Sequence, residues 1–284
     1  MRGKREQDHW TRVQQVVPMI RRQLSRSICF VNGKGGTGKT SCCVNIGAEL
    51  ANILAEAGSH KRVLVLEFDI QANLKSDLGY RGQSGDDDGQ SMLNAVMGTG
   101  PLAVIRGVRP NLDLVPAGVV LKRVVRLLAS SSDEDRRDAW TTFAQAVAEI
   151  ADDYEYILLD CPPGDEELQK LAIVLAQWVV IPTVFDKASR WGLELVAELF
   201  DAVEGVNDEA DVLGIMMFGF ERREERIVKD EAGDPVGIKE VGQRQRLRRV
   251  LQADLARGGS DAPVFTTVIG ASKVAGEACR NLAC

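Results

Sequence analysis

Residues 27–54 most constrain what this chain can fold into. An apolar run, Ser27-Ile28-Cys29-Phe30-Val31, leads into Asn32-Gly33-Lys34-Gly35-Gly36-Thr37-Gly38-Lys39-Thr40-Ser41, and Cys42 to Leu54 reads as a helix leaving it. Strand, glycine-rich loop and helix in that order are the context of a phosphate-binding loop. Gly33, Gly35, Gly36 and Gly38 let the backbone turn tightly, so successive N–H groups point inward at phosphate oxygens. The helix that follows adds the positive end of its dipole. In this pattern Lys39 reaches the β- and γ-phosphates, and the Thr40 hydroxyl binds Mg²⁺. The spacing Gly33-x4-Gly38-Lys39-Thr40 meets the whole G-x-x-x-x-G-K-[ST] pattern, so Gly33 to Ser41 are expected to bind a nucleoside triphosphate.

The rest of the chain reads as an ordinary soluble protein. It has 284 residues, 45% hydrophobic and 27% charged, enough for one large α/β domain or two smaller ones. No apolar run approaches the ~20 residues of a membrane span, and no apolar segment near the N-terminus suggests a signal peptide. A cytoplasmic protein without stable membrane insertion is the expectation. The six cysteines form no C-x-x-C pair, which argues against a zinc site or a disulfide framework. The net charge of −6 argues against a uniformly basic nucleic-acid binder but leaves room for a local patch. Residues 1–27 carry Arg2, Lys4, Arg5, Arg12, Arg21, Arg22 and Arg26 against Glu6 and Asp8. Within them Trp10, Val13, Val17, Ile20 and Leu24 form one helical stripe, which Pro18 should kink or split. That stripe fits a helix packed on the body, a partner contact, a DNA-contacting arm or a membrane-surface helix.

Two further stretches carry chemistry. Arg62 to Phe68 is a strand ending in Asp69, with Gln71 and Asn73 just behind it. Tyr156-Ile157-Leu158-Leu159-Asp160 is an apolar strand ending in an aspartate, a Walker-B element in which Asp160 holds Mg²⁺, commonly through water. Strands and helices alternate throughout, which predicts a parallel sheet covered on both faces, with ligands at the strand carboxyl ends. Helices are expected at Val119–Leu128 and Trp140–Asp152, split by the polar stretch Ser130–Asp138. Residues 81–90 read as a polar loop whose three aspartates are solvated.

Lys34 is a second lysine inside a loop that Lys39 already serves, and by spacing alone it fits a solvated loop charge. The run Lys34-Gly35-Gly36-Thr37-Gly38-Lys39-Thr40 resembles the deviant-Walker ATPases, the ParA/Soj and MinD group, whose loop reads K-G-G-x-G-K-T. The stretch at Asp69 resembles that group's V-L-x-x-D-x-D-P-Q-x-N, with Glu67 in place of the first aspartate and Ile70 in place of the proline. Asn111-Leu112-Asp113-Leu114-Val115-Pro116-Ala117, Asp160-Cys161-Pro162-Pro163 and Val179-Val180-Ile181-Pro182 also resemble the group's motifs. The resemblance covers roughly residues 27–278.

The resemblance implies a single doubly wound, mostly parallel α/β sheet, the P-loop NTPase fold of the deviant Walker A type. Residues 27–284 would be that domain, behind a basic amphipathic N-terminal extension over residues 1–26. It implies a Mg²⁺-dependent ATPase that closes as a homodimer on ATP, with Lys34 reaching the partner's nucleotide and Asp69 positioning the attacking water. Arg222 or Arg223 matches a DNA-backbone contact of the group, and Lys273 approximates a second; the interleaved Glu221, Glu224 and Glu225 equally fit a salt-bridged surface. The implied role is nonspecific binding of double-stranded DNA on the nucleoid for plasmid or chromosome partition or cargo positioning. A ParB-type centromere-binding protein or a cargo adaptor would stimulate hydrolysis. A MinD-like membrane-associated positioning ATPase is the alternative.

Overall fold

The computed structural model describes residues 17–82, 84–184, 191–220, 225–230, 235–240 and 242–270. Ten strands are found among them: β1 (Ser27–Phe30), β2 (Arg62–Glu67), β3 (Ile105–Arg109), β4 (Leu112–Val115), β5 (Tyr154–Asp160), β6 (Trp178–Thr183), β7 (Asp211–Phe220), β8 (Glu225–Lys229), β9 (Pro235–Glu240) and β10 (Val264–Gly270). Nine helices accompany them among the described residues: α1 (17–23), α2 (Lys39–Glu56), α3 (Leu74–Asp77), α4 (Gln90–Val96), α5 (Leu121–Ser130), α6 (Asp133–Ala148), α7 (Glu166–Leu175), α8 (Trp191–Ala202) and α9 (Gly242–Arg257).

Eight strands form one sheet in the order β10-β7-β6-β1-β5-β2-β4-β3, all parallel except the antiparallel edge pair β3–β4. Strands β8 and β9 form a separate two-stranded antiparallel ribbon. The expected doubly wound sheet is therefore present. The pattern of apolar residues explains why it is covered on both sides. On β2, Leu64 and Leu66 join a core with α1 and α4–α9, while Val63 and Val65 join the core under α2 and α3. Alternate side chains of a strand point to opposite faces, and here both faces are apolar.

The last turns of α1 belong to the body. Ile20 and Leu24 are buried in the larger core, and Arg21 donates to the Val174 carbonyl at 2.6 Å. Trp10 and Val13, the start of the expected stripe, lie outside the described residues.

The structure corrects two local expectations. Helix α6 begins at Asp133 rather than Trp140, so most of the polar stretch is its first two turns; the Ser132 hydroxyl caps it, accepting from Asp135 N–H at 3.1 Å. The aspartates of the 81–90 loop are structural rather than merely solvated. Asp86 pairs with Lys75 at 2.7 Å and Asp88 pairs with the same ammonium, while Asp87 accepts from the N–H groups of Gly89 (2.9 Å) and Ser91 (2.8 Å). On α9, Arg248 donates to the carbonyls of Val264 and Phe265 at 2.7 Å each and so ties β10 down.

Candidate functional site

Strand order creates the crevice in which the motifs meet. The chain leaves β1 for β2 on one side, returns to insert β5 between them, and crosses to β6 on the other side. The carboxyl ends of these strands flank the switch point, where open α/β sheets bind ligands. Register aligns them: Phe30 lies opposite Asp160, and Asp160 lies opposite Glu67.

The loop after β1 is tethered from beneath. The Asn32 side chain donates to the Pro182 carbonyl at 2.9 Å and accepts from Lys34 N–H at 3.0 Å. Gly36 and Gly38 have φ of 74° and 90°, left-handed conformations that favour glycine. Gly38 has a second constraint, because a Cβ there would come within 2.6 Å of the Phe218 ring. Helix α2 starts at Lys39 with no side-chain cap and no acidic residue in its first turn. Its first N–H groups and the positive end of its dipole are thus offered to an anion.

Lys39 and Asp160 are buried charges facing this loop. The Lys39 ammonium donates to the Lys34 carbonyl at 2.8 Å, and an ammonium has three protons to give. Burial lowers its pKa, while Cys161, Asp160 and Asp69 oppose that shift. Asp160 is fully buried, and neither carboxylate oxygen meets the geometric limits of a hydrogen bond among the described residues. Burial above all pushes its pKa up to about 8; Glu67 and Asp69 push the same way, against the nearby Thr40 hydroxyl and Lys39. A buried carboxylate in this condition is stabilised by a cation or by new donors. Thr40 and Asp160 are oxygen donors of the kind Mg²⁺ takes, directly or through water, so the residues fit that ion.

Asp69 stands at the entrance of a turn that holds it. Its Oδ1 accepts from Gln71 N–H at 2.9 Å and its Oδ2 from the Asn73 amide at 3.2 Å, the two residues singled out behind it in the sequence. Lys34 lies at the loop surface, and its carbonyl also accepts from the Thr37 hydroxyl at 3.4 Å. Gly33 and Gly35 complete the exposed part of the loop, with Ser41 exposed on the first turn of α2. Lys39, Thr40, Asp69 and Asp160 are therefore brought into one crevice. Arg222, Arg223 and Lys273 lie outside the described residues.

Three participants escaped the reading of motifs. Glu67, noted only as standing in place of an aspartate, is a buried acceptor of hydrogen bonds from Leu74, Tyr80 and Ala117. Thr183, at the end of β6, buries its hydroxyl without a hydrogen-bond partner among the described residues. Asn32 immediately precedes the loop, and its position was the one available signal.

Comparison with known proteins agrees with this geometry. Residues 25–212 match the family described as AAA domain. The chain is 32% identical over 204 residues to the chromosome-partitioning ATPase Soj of Treponema pallidum, covering 70% of this chain and 74% of that one. The chain belongs to the ParA/Soj family of P-loop ATPases. Among solved structures, this ParA-type chain shares its fold with the ATP complex of a substituted McdA from Cyanothece, at TM-score 0.68 and 17% identity over 90% of this chain and 87% of that one. It also shares it with cobyrinic acid a,c-diamide synthase from Mycobacterium smegmatis with a bound ATP analog and magnesium, at TM-score 0.64 and 22% identity over 91% and 92%. The breadth of chemistry on this one fold means that the site must argue the function.

Proposed function

We propose that this ParA-type chain is a Mg²⁺-dependent ATPase whose ATP-bound homodimer holds double-stranded DNA and releases it on hydrolysis. The observation that carries the nucleotide reading is the pair of buried groups Lys39 and Asp160, set beside the uncapped start of α2. Bound Mg²⁺ would neutralise charge on the β- and γ-phosphates. Lys39 and the amides of residues 33–40 bind the phosphate chain and stabilise the charge that develops as the bond to the γ-phosphate breaks. Thr40 and Asp160 orient the metal, and Asp69 holds the attacking water. Lys34, at the loop surface, supplies a cation to the partner's nucleotide when two subunits close, which makes ATP the link between them.

The DNA and partition parts of the reading rest on family membership and on the Soj relative. Arg222, Arg223 and Lys273 are its phosphate contacts, which are independent of base sequence and sensitive to salt. Residues 27–284 form the ATPase domain and residues 1–26 a basic extension. A ParB-type protein or cargo adaptor stimulates turnover on the nucleoid, and the cargo is a plasmid, a chromosome or another body.

The test is binding to arbitrary double-stranded DNA with ATP, with ADP and without nucleotide, across a salt series. Binding is expected only with ATP, to fall steeply with salt, and to be lost in Lys34→Ala and in Arg222→Ala/Arg223→Ala. If no nucleotide state binds DNA, the partition reading fails, and vesicle flotation then decides for or against a membrane-positioning role.

A further inference from the structure

The turn that carries Asp69 is not self-supporting. It contains no proline to set φ, and Ala72 within it sits at φ 49°, a left-handed conformation that costs an alanine about 1 kcal/mol. Such a turn persists only when its surroundings over-determine it. Asp69, Gln71 and Asn73 hold one another, and Phe68 N–H, donating to the Asp160 carbonyl at 3.0 Å, ties the start of the turn to β5, but these bonds leave its far end to be held.

The contact that holds the far end comes from Glu67, two residues upstream of Asp69 at the end of β2. Its side chain is fully buried. Oε1 accepts from Leu74 N–H, the first amide of α3, at 2.9 Å. Oε2 accepts from the Tyr80 hydroxyl at 2.8 Å and from Ala117 N–H at 3.4 Å. One carboxylate therefore grips the segment on both sides of α3 and joins it to the exit from β4. Next to Leu74, Lys75 is held by Asp86 and Asp88, so the far side of the same short helix is clamped as well. Reach matters here, because an aspartate at this position would end about 1.5 Å short, one C–C bond.

We infer that Glu67 is the positioning residue of the hydrolytic site, holding the Asp69 turn to the sheet through Leu74 and Tyr80. The inference rests on the ATPase reading above and adds to it which residue sets Asp69 in place. Glu67 touches neither phosphate nor water in this account; it acts through the turn.

The test compares Glu67→Asp, Glu67→Gln and Tyr80→Phe with the wild-type full-length chain, by steady-state ATP hydrolysis with DNA present and by hydrogen exchange at residues 69–74. Glu67→Asp keeps the charge and loses the reach; Glu67→Gln keeps the reach and one acceptor oxygen for Leu74 N–H. The expected order of kcat is wild type, then Gln, then Asp, with Asp down at least about tenfold and KM for ATP within about twofold. Tyr80→Phe, which leaves Glu67 and the other two bonds intact, gives a smaller fall and covers the case in which a Glu67 variant does not fold. Exchange at Leu74 is expected to rise in the same order as kcat falls. Unchanged kcat with Leu74 exchange raised overturns the inference, as does an Asp variant as active as wild type. A wild-type chain that hydrolyses no ATP would fail the functional reading instead. Exchange over residues 69–74 then decides alone: unchanged in Glu67→Asp it overturns the positioning role, and raised it supports it.

Discussion

At the scale of single residues, the site is a collection of groups kept in costly states. Asp160 is a fully buried carboxyl group whose pKa burial pushes up to about 8, and Lys39 is a cation that burial makes easier to deprotonate. Gly38 is constrained twice, by a φ of 90° and by the Phe218 ring lying against its Cα. Gly38→Ala should therefore lose about 2 kcal/mol of stability, the left-handed backbone supplying about 1–2 kcal/mol and displacement of the ring the rest. Urea unfolding of Gly38→Ala, Phe218→Ala and the double variant checks this. Phe218→Ala carries its own loss of packing, so Gly38→Ala should cost less in the Phe218→Ala background than in wild type by the ring's share alone, the backbone strain remaining.

At the scale of elements, the antiparallel edge is held to the sheet through one buried acid. Asp113 on β4 accepts from Arg62 at 2.9 and 2.6 Å, from Arg106 at 3.1 Å, from Gly107 N–H at 2.7 Å and from the Tyr154 hydroxyl at 3.1 Å. Burial alone would raise its pKa; the hydrogen bonds from Arg62 and Gly107 outweigh burial and lower it. A carboxylate with a depressed folded-state pKa adds stability that is complete above its unfolded pKa and is lost as pH falls through the folded one. Asp113→Asn should cost about 3 kcal/mol at neutral pH, because it leaves buried donors and a charge unpaired. Between about pH 5 and about pH 3 wild type should lose more of its thermal midpoint than Asp113→Asn does, since only wild type has this carboxylate to protonate.

At the scale of the whole molecule, strand order converts separate motifs into one crevice, and a ligand there should stabilise the entire fold. With Mg²⁺–ATP at about one hundred times its Kd, the expected gain is about 2.7 kcal/mol, read as a rise in the thermal midpoint. In Lys39→Met the gain should vanish while the nucleotide-free midpoint stays at least as high, because a desolvated charge has been removed. A rise that survives in Lys39→Met would place the nucleotide elsewhere. The chain's own order of residues determined the loop after β1, the apolar strands that lead to Asp69 and end at Asp160, and the alternation that makes the sheet parallel. Those features are local: a backbone turn depends on adjacent glycines, and a strand's burial on its own run of side chains. The antiparallel β3, the ribbon of β8 and β9, the use of Asp86 and Asp88 to clamp Lys75, and the grip of Glu67 on Leu74, Tyr80 and Ala117 were decided only by the tertiary structure. Each depends on which groups a buried charge or an open sheet edge meets once the chain has turned back on itself, and the motifs do not record that.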